Sequence, residues 1–170
     1  LVDNASGSVS PASKVTIMPI KANFRKSNSF GTLELYYAIY YAIDNGADII
    51  NMSLAGSSPD GLLEEALQDA RDAGILVVAS SGNLGGAVQY PAKYNSSTVA
   101  VGAVNPDNSR SSYSNYGSDL DLVAYVGQGG ASNATYQSTF RCFTSSPNCY
   151  SSTDTSRYTL FSNTDAQYRA

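Results

Sequence analysis

Ile75-Leu76-Val77-Val78-Ala79-Ser80-Ser81-Gly82-Asn83-Leu84-Gly85-Gly86 is the stretch whose reading decides the fold. Its unbroken apolar start reads as a strand buried on both faces, the habit of parallel sheets. Small residues and a Gly-Asn turn then break the strand at its C-terminal end. In open α/β sheets that edge is where ligands sit. An Asn side chain there can aim its NH2 donors at an oxygen held just above the sheet.

Working outward, Leu62, Leu63, Ala66, Leu67, Ala70 and Ala73 repeat at helical spacing and Gly74 stops the pattern. Ser58 is the expected cap of this helix, with Pro59 at its first position. Ala47 to Leu54 reads as a second buried strand that ends in small residues. Before it, Leu33, Tyr36, Tyr37, Ile39, Tyr40, Ala42 and Ile43 mark a helix from Thr32 to Asn45, stopped at Asn45-Gly46. Lys14 to Lys21 is rich in β-branched residues and reads as another strand. On the far side, Thr98 to Val104 and Leu120 to Ala124 are two more.

Strand, helix, strand, helix, strand is the signature of crossover units in a parallel sheet. The predicted class is α/β: a mostly parallel sheet of about five strands with flanking helices. Residues 1–124 carry that pattern. From Tyr125 to Ala170 it dissolves into Ser, Thr, Gly and Asn, a stretch that reads as an insertion or loop segment needing partners from elsewhere.

A chain of 170 residues favours one domain with a sizeable core. Only 14% of its residues are charged, well below the usual quarter or so. Ser, Thr, Asn and Tyr fill the surface instead, a balance more at home outside cells. The net charge of -4 argues against a nucleic-acid partner. No apolar run is long enough to span a membrane. Leu1 opens without a Met or a leader pattern, so the natural start is expected upstream. Cys142 and Cys149 are read as a disulfide-closed loop or as two free thiols. Asn4, Asn95 and Asn133 begin glycosylation-type triplets.

Four motifs stand in a particular order: Asn45-Gly46-Ala47-Asp48-Ile49-Ile50-Asn51-Met52-Ser53-Leu54, then Val77 to Gly86, then Tyr90-Pro91-Ala92-Lys93-Tyr94 leading to Val99-Ala100-Val101-Gly102-Ala103-Val104, then Tyr113-Ser114-Asn115-Tyr116-Gly117 with Asp121-Leu122-Val123-Ala124. Together they closely resemble the central part of subtilisin-like serine proteases, the subtilases. The resemblance covers roughly Pro11 to Ala124. It implies that Asn83 is the oxyanion-hole donor. It implies too that Ser53, Leu54, Ala55 and Gly56 pair with the backbone of a polypeptide substrate as an added strand. Ala79, Ser80, Ser81 and Gly82 would line the primary specificity pocket, with Gln89 near its floor. Tyr90-Pro91 would be cis. Backbone carbonyls at Ala92 and Tyr94 would hold a weak cation, Ca2+ or Na+.

The same resemblance sets the limits. The family's catalytic Asp, His and Ser match nothing here, and the chain contains no histidine. By this reading the missing N- and C-terminal parts of a catalytic domain, or another chain, must supply them. The 170 residues alone are expected to be inactive and marginally stable. Where relatives carry Ala-Pro-Gly this chain has Ala124-Tyr125-Val126-Gly127. Two readings result: the middle of a secreted serine endopeptidase, or a non-catalytic pseudoprotease that binds peptides or serves as a structural module. A dinucleotide-binding domain is disfavoured, because Gly82-Asn83-Leu84-Gly85-Gly86 lacks the phosphate-turn spacing and a loop follows it.

Overall fold

A computed structural model of the chain describes residues 15–23, 29–127, 139–142 and 158–161. Its elements in order are α1 (Thr32–Asp44), β1 (Ile49–Met52), α2 (Gly61–Asp72), β2 (Leu76–Ser80), β3 (Val99–Val104), β4 (Leu122–Tyr125), β5 (Thr139–Cys142) and β6 (Tyr158–Phe161). The first six lie in one compact unit, Met18–Gln128. There β1, β2, β3 and β4 form a parallel sheet in that order. In a separate unit, β5 and β6 pair as an antiparallel ribbon within the stretch whose sequence shows no period.

Both helices form where the spacing places them. Gly46 and Gly74 end them with φ of 70° and 84°, values that suit glycine. Leu35, Ile39 and Ala42 of α1 are buried with Leu63, Ala66, Leu67 and Ala70 of α2. These stripes share one core with Met52, Val77, Ala79 and Ala100 on one face of the sheet. The opposite face is barer: Ile49 is 61% exposed, Leu76 47% and Leu122 59%.

Four expectations need correction. Residues 15–21 form no strand, and Val15, Ile17 and Ile20 stay exposed because no neighbouring strand pairs with them. Strands β1 and β2 are buried on one face rather than two. Asp60, not Ser58, caps α2. Its Oδ1 accepts from the N–H groups of Leu62 and Leu63 at 3.1 and 3.2 Å, which leaves Pro59 outside the helix. Strand β4 starts two residues later than expected, because Asp121 is used to tie the strand's entrance to β3: its carboxylate accepts from Ala100 N–H at 2.8 Å.

Candidate functional site

Strands β1 and β2 run parallel, so their C-terminal ends open on the same rim. Beyond β1 the chain continues through Ser53, Leu54 and Ala55 to a bridge at Gly56. The Ser80 hydroxyl donates to the Leu54 carbonyl at 3.3 Å and holds the two exits together. Gly56 and Tyr90 exchange both backbone bonds, at 2.7 and 3.0 Å. Among the described residues nothing bonds the backbone N–H or C=O of Ser53 or Ala55. A cleft of about 570 Å³ lies beside this edge, walled by Phe30, Leu54, Leu63 and Tyr90 among others.

Next to that edge the chain leaves β2 and turns. Ser81 and Gly82 are buried, while Asn83 is exposed. Among the described residues the Asn83 side-chain amide has no hydrogen-bond partner. The turn around it is tied down. Ser81 N–H donates to Val101 C=O at 2.9 Å, and Gln89 N–H to Ser81 C=O at 3.0 Å. Gly82 has φ 104°, and a Cβ there would strike Asn115 Nδ2 and Gln89 Oε1. Gln89 is half-buried beside Gly82 and accepts from Asn115 Nδ2 at 3.4 Å. The structure thus gathers Ser80, Ser81, Gly82, Gln89 and Asn83 at one place. Ala79 sends its side chain into the core beneath the helices.

Asn115 is the residue that local sequence reasoning missed. It is fully buried and bonds the turn from 31 residues away. A lone Asn flanked by Ser and Tyr carries no local sign of burial, so only the paired motif order could have pointed to it.

The Tyr90-Pro91 bond is cis. Just after it, the carbonyls of Pro91, Ala92 and Tyr94 converge, and the Thr98 hydroxyl sits among them at 3.2, 3.1 and 3.2 Å. Such carbonyls suit a hard cation by chemistry, but calcium needs six to eight oxygens at about 2.3–2.6 Å. Here the focus is held by a hydroxyl at ordinary hydrogen-bond distance. The Ala92 and Tyr94 carbonyls expected to hold the cation both lie within hydrogen-bond reach of the Thr98 hydroxyl. Tyr94 anchors the same turn to α2: its hydroxyl accepts from Asp60 N–H at 2.7 Å and donates to Asp60 C=O at 2.9 Å. Burial pushes the Tyr94 phenol up from its ordinary value.

Among the described residues no acid–base pair assembles at the rim. The Ser81 hydroxyl donates to Asn115 C=O at 3.3 Å, and Lys93 lies 5.8 Å from the Tyr90 ring. Among the described residues no group of three or more His, Cys, Asp or Glu could hold a metal. No described helix is long and apolar enough to cross a membrane. Cys149, Asn4 and Asn133 lie outside the described residues, so neither the Cys142–Cys149 disulfide nor those two triplets can be placed. Asn95 donates to the Asp119 carboxylate at 3.1 Å.

Residues 2–164 match the family described as "Subtilase family". The chain belongs to that family. Among curated subtilases, it is 37% identical over 124 residues to "Subtilisin Savinase" of Lederbergia lenta, which covers 72% of this chain and 45% of that protein. To "Subtilisin DY" of Bacillus licheniformis it is 39% identical over 129 residues, covering 72% and 46%. Among solved structures, a cold-adapted subtilisin-like serine proteinase superposes with a TM-score of 0.55 at 32% identity, covering 60% of this chain and 38% of that one. This subtilase chain therefore spans less than half the length of these relatives. The parallel α/β sheet is the subtilase architecture, as the motif order implied.

Proposed function

We propose that this chain is the middle of a secreted subtilisin-like serine endopeptidase. Residues 1–124 would form the centre of its catalytic domain, and 125–170 would lead toward the nucleophile. In this reading Asn83 donates its side-chain N–H to the carbonyl oxygen of the scissile bond as that oxygen becomes negative. Ser53, Leu54 and Ala55 bind the substrate polypeptide as an added strand, and Ser80, Ser81, Gly82 and Gln89 shape the pocket beside it. The Asp, His and Ser of the triad are contributed from outside these 170 residues, since the chain has no histidine to act as base. No catalytic step is assigned to a cation at Ala92 and Tyr94, where the Thr98 hydroxyl lies 3.1 Å from the Ala92 carbonyl and the Ser97 and Thr98 N–H groups donate to that of Tyr94.

The observation that carries the reading is the unpartnered, exposed amide of Asn83 on a tied-down turn, next to an edge with open backbone groups. A donor carried on a backbone that is already fixed needs little reorganisation when charge develops, which is why it favours the transition state over the ground state. In subtilisin, the type case for this effect, loss of the donor costs about 10²–10³ in kcat. Asn83→Ala in the full-length protein is expected to lower kcat for peptide hydrolysis by the same order while KM changes little. Full-length protein that binds extended peptides but never cleaves them would replace this reading with that of a non-catalytic binding module.

A further inference from the structure

We propose that Asn115 is the positioning residue of the Asn83 turn: it fixes the geometry of the oxyanion donor without touching the reacting atoms. The proposal rests on the reading of Asn83 given above. It starts from a buried amide that spends every polar atom on one short stretch of chain. Asn115 is 0% exposed. Its Oδ1 accepts from Leu84 N–H at 2.9 Å and from Gly86 N–H at 3.1 Å. Its Nδ2 donates to Ser81 C=O at 3.0 Å and to Gln89 Oε1 at 3.4 Å. Its own N–H donates to Gly82 C=O at 3.0 Å. The bonded residues flank Asn83 on both sides and omit Asn83 itself.

That pattern leaves the Asn83 amide free for a ligand while its neighbours are fixed. The strap that carries Asn115 is itself anchored. Gly85 N–H donates to Tyr113 C=O and Tyr116 N–H to Gly86 C=O, both at 2.8 Å. The Arg110 guanidinium lies 4.4 Å from the Tyr116 ring centre and donates to Ser114 C=O at 2.7 Å. Neither leucine nor aspartate would serve as well at this position. Leucine would leave two inward N–H groups without acceptors, and aspartate would turn an oxygen toward the Ser81 carbonyl and Gln89 Oε1.

A double-mutant cycle on kcat for a chromogenic peptide in the full-length protein tests the idea. A displacement of 1 Å in a catalytic group can cost about 10² in rate, so Asn115→Ala is expected to lower kcat by about 10- to 100-fold. In an Asn83→Ala background the same change should cost less than about 3-fold, because there is no donor left to misplace. Hydrogen exchange should quicken at the Leu84 and Gly86 amides and not within β3. The proposal is overturned if Asn115→Ala costs the same factor with and without the Asn83 amide, or if those two amides exchange as before. Should Asn115→Ala fail to fold, Asn115→Asp enters the same kcat cycle without the exchange readout, because its carboxylate still accepts from Leu84 and Gly86 N–H, and an equal cost with and without the Asn83 amide overturns the proposal. A small effect of Asn83→Ala alone, under about 3-fold against the roughly 10²–10³ of an oxyanion donor, would instead remove the Asn83 reading itself.

Discussion

Gly82 is a position where one methyl group does harm. Its φ of 104° lies outside the range L side chains adopt comfortably, and its Cβ direction points at Asn115 and Gln89. Gly82→Ala is therefore expected to destabilise the fold by about 1–3 kcal/mol, read as a lower urea midpoint. Thr98 makes the opposite kind of prediction, since it is a polar group that must stay. The Ala92 carbonyl is buried and the Thr98 hydroxyl is its described partner. Thr98→Val should cost about 1–3 kcal/mol, and Thr98→Ser should restore most of it. If a cation held the turn instead, calcium would raise the midpoint of the parent protein and Thr98→Val would change little. At this scale the sequence reveals what is local. Asn83 stands in a Gly-Asn break after an apolar run, and the resemblance names its neighbours. Asn115 and the Thr98 hydroxyl are set by folding-dependent contacts, and nothing in their spacing announces them.

Among the elements, α2 shows how two competent caps are resolved. Ser58 and Asp60 could both start the helix, but Tyr94 bonds the Asp60 backbone and Thr32 donates to its carboxylate, so the later residue takes the role. Hydrogen bonds from the Thr32 hydroxyl and from Leu63 and Leu62 N–H hold the Asp60 carboxyl below the usual carboxylate range. A carboxyl whose folded pKa is depressed contributes stability that is present above its unfolded value, about 4. That contribution is lost as pH falls through the lower folded value. Acid should weaken the fold over that interval, with Asp72 beside Arg71 and Asp107 beside Ser109 acting in the same direction. In Asp60→Asn the urea midpoint should depend less steeply on pH in that range; an unchanged acid limb would remove Asp60 from the account. Both helices were legible because apolar residues at helical spacing survive in any context that buries one stripe. The stretch at residues 15–21 was misread because β-branched composition reports suitability for a ladder and not the presence of a partner.

In the unit Met18–Gln128, the decisive fact is that the described helices cover one face of the sheet. Parallel sheets normally have both faces buried. Ile49, Leu76 and Leu122 on the other face, together with the outer edges of β1 and β4, form an apolar surface of the kind that drives association. The 170-residue chain on its own is expected to self-associate and to bind an environment-sensitive apolar dye. A monomer at micromolar concentration that leaves the dye dark would count against this. The bare face has a practical corollary. A piece with its own core and one uncovered side has the architecture of a half in a split reporter. Supplied in trans with the remaining segments of a subtilase domain, it should regain peptide cleavage by complementation. The yield should follow the concentration of both pieces and fall to background when Leu76 is replaced by a charged residue.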